Sequence, residues 1–291
     1  MFTVTVLCAP SSKTLEATLV ENLRNAWGGG EAVWLSVGEA AEFAVGQEPD
    51  NFWQVWDSLQ AQGLDLVIQP TFGRRKKMVL ADMDSTMIEQ ECIDELAAEA
   101  GVGARVAEIT ARAMNGELDF EGALDERVGL LEGLDAAVIQ KVLSERITLM
   151  PGGKELVSTM KANGAYAALV SGGFTAFTAK VAEMIGFDEN RANTLLQENG
   201  KLTGKVARPI LGREAKVQAL EEITARLGIS EADVIAVGDG ANDLGMLGRA
   251  GTGVALHAKP SVQKECKVRI NHGDLTALLF IQGYQRSEFA S

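Results

Sequence analysis

The sequence predicts an α/β protein: a parallel sheet with a helical cap inserted after its first strand, preceded by a small α+β domain. Three observations predict it. Apolar runs at 78–81, 166–170, 234–237 and 252–256 alternate with long helix-forming stretches, the pattern of parallel strands covered on both faces. About 80 residues separate the first run from the second, far more than the dozen or so that a parallel crossover requires. Before residue 75, strand-like and helix-like segments follow one another at shorter spacing.

In chain order, residues 1–7 read as a strand rather than a signal peptide, because they lack a basic leader and a long apolar region. Residues 11–27 read as a helix, with Leu15, Leu19, Leu23 and Trp27 on one face and Gly28-Gly29-Gly30 as its stop. A strand at 32–37, an amphipathic helix at 51–62 and a short strand at 65–69 complete a domain spanning 1–74. Gly73-Arg74-Arg75-Lys76-Lys77 is a charged link to the second domain, 75–291. The cap occupies about 88–147, with Leu96, Val106, Ile109, Leu124, Leu130 and Leu131 as its core. Met114 and Phe120 read as further cap core in preference to walls of a site. Pro151 suits the first turn of a helix running to Ala162 and stopped by Gly164. Residues 194–204 form a hairpin around Asn199-Gly200. A later helix presents Val217, Leu220, Ile223 and Leu227 on its apolar face.

The net charge of −13 argues against nucleic acid as a partner. It also means that an anionic substrate must be drawn in by local positive charge or a bound cation. No apolar run approaches ~18 residues, so no membrane-spanning helix is expected. Cys8, Cys92 and Cys266 are odd in number and scattered. They point to a reducing, cytoplasmic setting and to neither a disulfide framework nor a zinc site.

In open α/β sheets ligands bind beyond the carboxyl ends of the strands. Three such ends here are chemically rich: Asp82-Met83-Asp84, Ser171-Gly172-Gly173 and Gly238-Asp239-Gly240. Side chains two apart on a strand point the same way, so Asp82 and Asp84 would sit side by side. That costs energy unless a metal or a proton offsets it. With Lys216, Asn242 and Asp243 added, the set favours a hard divalent cation held by oxygens, Mg²⁺ above all. Ser171 and the glycine N–H groups that follow make an anion cradle. A lysine on a helix is ordinarily a solvated charge. Given the rest of the site, the Lys216 ammonium would offset charge developing on a transferring phosphoryl group.

On these residues the chain resembles the haloacid-dehalogenase (HAD) superfamily, and within it the phosphoserine phosphatases. The matching parts are Asp82-x-Asp84-x-Thr86, Ser171-Gly172-Gly173-Phe174, Lys216 and Gly238-Asp239-Gly240-Ala241-Asn242-Asp243, in the family's order over about residues 77–285. The resemblance implies a Rossmann-like core and hydrolysis of O-phospho-L-serine to L-serine and phosphate, the last step of serine synthesis. It implies Asp82 as nucleophile, Asp84 as general acid and base, and Mg²⁺ held by Asp82, Asp239 and the backbone carbonyl of Asp84, with Asp243 acting through a metal-bound water. Ser171, Gly172 and Lys216 would hold the phosphoryl oxygens, with Asn242 a further substrate-binding residue that orients nearby groups. Glu91 and Arg127 would bind the substrate's ammonium and carboxylate. The N-terminal domain resembles ACT-type amino-acid-binding modules only loosely, which leaves regulation or a homodimer contact open. Two other readings stand beside this one: a phosphatase or phosphotransferase for another small phosphomonoester, and an amino-acid sensor on a degenerate phosphatase fold.

Overall fold

The computed structural model describes residues 1–114 and 117–290, apart from the side chain of Met114, so the expectation for Met114 lies outside the described residues. The chain forms two compact units: Met1–Leu80 with Pro151–Ala167 and Leu220–Ser291, and Ala81–Met150 with Ala168–Ala219.

The first unit begins with β1 (Phe2–Cys8), α1 (Ala17–Ala26), β2 (Val33–Ser36), β3 (Ala40–Val45), α2 (Phe52–Gln60) and β4 (Leu64–Pro70). Their strands make a sheet of order β2-β3-β1-β4, in which β1 pairs antiparallel with both β3 and β4. Val4, Val6, Val20, Leu23, Phe43, Phe52, Trp56 and Leu66 pack between sheet and helices. Two details depart from the sequence reading. Helix α1 starts at Ala17, not at residue 11, because Lys13 takes a left-handed φ of 46° and the Leu15 N–H bonds to the Gly38 carbonyl instead. Strand β3 was not anticipated. Its alanines are weak strand formers, and Glu42 breaks its apolar pattern. Arg74 pairs with that glutamate at 2.6 Å. Asp65 of β4 is fully buried, and its carboxylate accepts from the N–H groups of Asn271, His272 and Gly273 at 2.9, 3.0 and 2.8 Å.

From there the chain runs β5 (Met78–Ala81), α3 (Cys92–Glu99), α4 (Gly103–Met114), α5 (Phe120–Gly129), α6 (Val138–Glu145), α7 (Gly153–Ala162), β6 (Tyr166–Phe174) and α8 (Thr175–Ile185). It continues through β7 (Glu189–Asn193), β8 (Leu195–Glu198), β9 (Lys201–Val206), α9 (Arg213–Leu227), β10 (Val234–Gly238), α10 (Leu244–Arg249), β11 (Thr252–Leu256), α11 (Pro260–Glu265), β12 (Val268–Ile270) and α12 (Ala277–Ile281). The core sheet has the order β12-β11-β10-β5-β6-β7, with β10–β11, β11–β12 and β6–β7 parallel. Strands β7 and β12 are the two not anticipated. They lie at the sheet's edges, where a polar strand such as Glu189-Asn190-Arg191-Ala192-Asn193 or a three-residue one is tolerated.

The expected cap is present as α3 to α6. Leu96, Val106, Ile109, Leu124 and Leu131 are buried, while Leu130 is only partly so. Its two connections are stitched together by an Ile88–Leu149 bridge and by N–H···O bonds from Glu89 to Thr148 and from Met150 to Met87. Helix α7 begins at Gly153, so Pro151 lies ahead of its first turn. Gly152 intervenes at φ 80°, where a Cβ would lie 2.6 Å from the Thr276 nitrogen. The β8–β9 hairpin turns at Asn199 and Gly200 with φ of 50° and 77°, both positive as its tight two-residue turn demands. Among the described residues no helix is long and apolar enough to cross a membrane.

Candidate active site

Strand β5 is buried along its whole length, and the chain leaves it at Asp82. Asp82 is 5% exposed. Its Oδ1 accepts from the Met83 N–H at 2.7 Å and lies 2.8 Å from the Lys216 ammonium. Lys216 is itself 1% exposed, against the ordinary fate of a helix lysine. It also corrects the expected apolar face of α9. Leu220 and Ile223 are buried, but Leu227 at the far end is 37% exposed, and Lys216 takes an inward place in the first turn. An ion pair this deep is costly to desolvate, and removing either partner would leave an uncompensated charge. Such a pair is poor as a stabiliser and suited to chemistry on an anion.

Asp84 follows in the same turn. Its carboxyl is pushed up to about 7, mainly by burial and next by the negative charge of Glu91. One of its oxygens accepts from the Cys92 N–H at 3.2 Å. The two acids of the motif therefore have different surroundings: Asp82 faces a cation, and Asp84 sits where a proton is retained near neutral pH. That division suits a nucleophile beside a proton donor.

At the end of β6, Ser171 is buried and its Oγ accepts from the Gly173 N–H at 2.8 Å. A Cβ at Gly173 would come within 2.7 Å of an Asp84 carboxylate oxygen, so only glycine lets this turn approach the acid. Over the turn lies Phe120, the first residue of α5. A Cβ at Gly172 would meet its ring at 3.1 Å and one at Gly212 would meet it at 3.2 Å. Phe120 is 37% exposed, so it is a cover for the cradle and not the ordinary cap core that the sequence suggested.

The cap contributes charges of both signs. Glu91 accepts from the Ser85 hydroxyl at 2.7 Å, and Ser85 holds a left-handed φ of 53° to make that bond. Arg127 of α5 is half-buried, and its Nε donates to the Ala123 carbonyl at 3.1 Å. Burial lowers its pKa, while Asp94, Glu91 and Asp84, all within electrostatic reach, act in the opposite sense. Burial raises the carboxyl of Asp94. Asp82, Asp84, Glu91, Arg127, Ser171, Gly172 and Lys216 thus share one unit.

Asp239 and Asn242 belong to the other unit, in the glycine-rich loop after β10. There the buried Asp243 accepts from the Gly240 N–H at 3.0 Å, and a Cβ at Gly238 would collide with its carboxyl group. Asp82 in one unit and Asp239 and Asp243 in the other are carboxylates of the kind that can hold a metal ion. All three offer hard oxygen ligands, which fits Mg²⁺. Sequence reasoning did not find Ser85, whose backbone conformation carries no sequence signal, or Asn193, a polar residue closing a polar edge strand.

A model of the haloacid dehalogenase-like hydrolase family matches residues 79–248. A phosphoserine phosphatase of Archaeoglobus fulgidus is 47% identical over 218 residues, which cover 74% of this chain and 63% of that protein. This chain therefore spans less than two thirds of that relative's length. A phosphoserine phosphatase of Haemophilus influenzae is 40% identical over 247 residues, 85% of this chain and 78% of its own. The crystal structure of a HAD family hydrolase from Salmonella enterica serovar Typhi matches with a TM-score of 0.87 at 31% identity, covering 97% of this chain and 99% of that one.

Proposed function

The chain belongs to the haloacid dehalogenase-like hydrolase family, and from that premise we propose that it hydrolyses O-phospho-L-serine to L-serine and phosphate, the final step of serine synthesis. One observation carries the choice of substrate: Glu91 and Arg127, opposite in charge, both lie within electrostatic reach of Asp84. A phosphomonoester with an ammonium and a carboxylate beside its ester oxygen uses both. Arg127 binds the carboxylate through its planar fork, and Glu91 binds the ammonium.

In the first step an Asp82 oxygen attacks phosphorus in line and the bond from phosphorus to the serine oxygen breaks. The Asp84 carboxyl gives its proton to the departing oxygen. In the second step Asp84, now a carboxylate, takes a proton from the water that attacks the aspartyl-phosphate, and phosphate leaves Asp82 free. The Ser171 hydroxyl, the Gly172 N–H and Lys216 hold the phosphoryl oxygens throughout, and Asn242 orients them. Mg²⁺ would be held by Asp82, Asp239 and the Asp84 carbonyl, with Asp243 as a further carboxylate of the set, and when bound would supply positive charge against the repulsion between Asp82 and phosphate. Phe120, over the cradle, keeps bulk water from the acyl-phosphate. The same reading keeps residues 1–74 as an accessory domain that regulates the enzyme or contacts a second subunit. It sets the activity in the cytoplasm, a compartment consistent with three free cysteines.

The test is phosphate release from L-phosphoserine, phosphothreonine, phosphoethanolamine and p-nitrophenyl phosphate, with Mg²⁺ or EDTA, by the native chain and by Arg127→Ala. Metal-dependent preference for phosphoserine, lost in Arg127→Ala while p-nitrophenyl phosphate cleavage persists, is expected. Equal losses on both substrates would remove Arg127 as the carboxylate clamp. Metal-dependent hydrolysis of a different ester would keep the chemistry and overturn the substrate. Added L-serine in the same assay reads out regulation.

A further inference from the structure

The turn Gly172-Gly173 gains room for a phosphate at a cost. A peptide plane flanked by two glycines meets little steric resistance to rotation, so nothing in the turn itself fixes where its N–H points. The structure supplies the missing constraint from β7. Asn193, 2% exposed, donates from Nδ2 to the Gly172 carbonyl at 2.8 Å and to the Leu211 carbonyl at 3.1 Å. Its Oδ1 accepts from the Leu211 N–H at 2.7 Å. Both N–H bonds and the oxygen of the amide are engaged, and this pattern of partners fixes which end is oxygen.

The consequence reaches the site through one peptide plane. The plane whose carbonyl Asn193 holds is also the plane that carries the Gly173 N–H, and that N–H donates to Ser171 Oγ. With one lone pair so occupied, the Ser171 hydroxyl still has its own hydrogen to donate to a phosphoryl oxygen. The bonds to Leu211 hold the second half of the grip, since Leu211 stands two residues ahead of α9, whose first turn carries Lys216. We propose that Asn193 is a positioning residue for the phosphate grip: it locks the Gly172–Gly173 peptide so that Ser171 donates to phosphate, and it ties that turn to the approach of the Lys216 helix. The proposal rests on the phosphatase reading above. It does not depend on phosphoserine being the substrate.

Asn193→Ala and the smaller change Asn193→Ser test it in the full chain with Mg²⁺. The measurements are kcat, KM for phosphoserine and p-nitrophenyl phosphate, competitive inhibition by inorganic phosphate, and melting temperature. Loss of a buried hydrogen-bond clamp should raise both KM values and the phosphate inhibition constant together, by about tenfold. The ratio between the two substrates should stay as in the native chain, because Glu91 and Arg127 are untouched. A residue that merely packs would lower the folded fraction, and so kcat, at unchanged KM and unchanged phosphate inhibition. That result in whichever variant folds overturns the proposal. If the native chain cleaves p-nitrophenyl phosphate but not phosphoserine, the substrate reading falls. The Asn193 proposal is then decided on p-nitrophenyl phosphate and inorganic phosphate alone.

Discussion

Asp65 in β4 and Asp82 at the end of β5 are both sealed acids, 0% and 5% exposed. Asp65 is surrounded by donors fixed in the backbone: the N–H groups of Asn271, His272 and Gly273, with a Gln60 amide N–H at 3.3 Å. Backbone dipoles arranged in this way satisfy a carboxylate permanently and give it nothing further to do. Asp82 is met by the Met83 N–H and by the ammonium of Lys216, at the end of a flexible stem. A cation of that kind can serve an arriving anion as well as the resident one. Burial of an acid therefore does not mark chemistry. The nature of its partners does, and the pair can be separated by experiment.

The largest separation is in turnover. Asp82→Asn keeps size and one acceptor oxygen but removes the nucleophile. Phosphate release should fall by at least about a thousandfold, while circular dichroism still reports a folded chain. Full activity in that variant would exclude Asp82 as nucleophile and collapse the comparison. Asp65→Ala should do the reverse. It orphans three N–H groups, one buried and two partly so, so stability to urea should drop by about 2 kcal/mol, with kcat per folded molecule unchanged. A kcat that falls while the urea midpoint stays put would mean that Asp65 serves the site.

How much of this was legible in the sequence follows the same division. The motif acids, Lys216, the two glycine-rich turns and the cap were readable because close backbone approach and paired charge demand particular residue types at short spacing. The Asn199-Gly200 turn was readable for the same reason. Tertiary consequences were not. Lys216 and Leu227 lie on one helix, yet the polar residue is the buried one, because Asp82 supplies what the apolar face cannot. Strand β3 hides behind Glu42, whose charge is met by Arg74 from a segment 32 residues away. Asn193 is an ordinary polar residue until β7 is placed beside β6 and its amide reaches Gly172.

The smallest expected effect lies within the motif, between Asp82 and Asp84. Asp84 is held up to about 7 by burial first and Glu91 second. As the acid of the first step it must be protonated, so kcat/KM should fall as pH rises past about 7. Glu91→Gln removes the second cause and leaves the first, so the falling limb should move to lower pH by less than about one unit. The profile is best taken on a simple alkyl phosphomonoester. Such a substrate has no ammonium for Glu91 to bind, and its own ionisation is common to both enzymes and cancels. A limb that stays in place would show that Asp84 does not feel Glu91 during catalysis; a limb that moves upward would reverse the sign of the interaction. The same group gives a stability signature. Between the unfolded value of 3.8 and about 7 the folded chain holds the extra proton, so Asp84 costs stability as pH rises through that window. Asp84→Asn should flatten that part of the pH–stability curve, whereas Asp65→Ala should leave this Asp84-dependent slope in place.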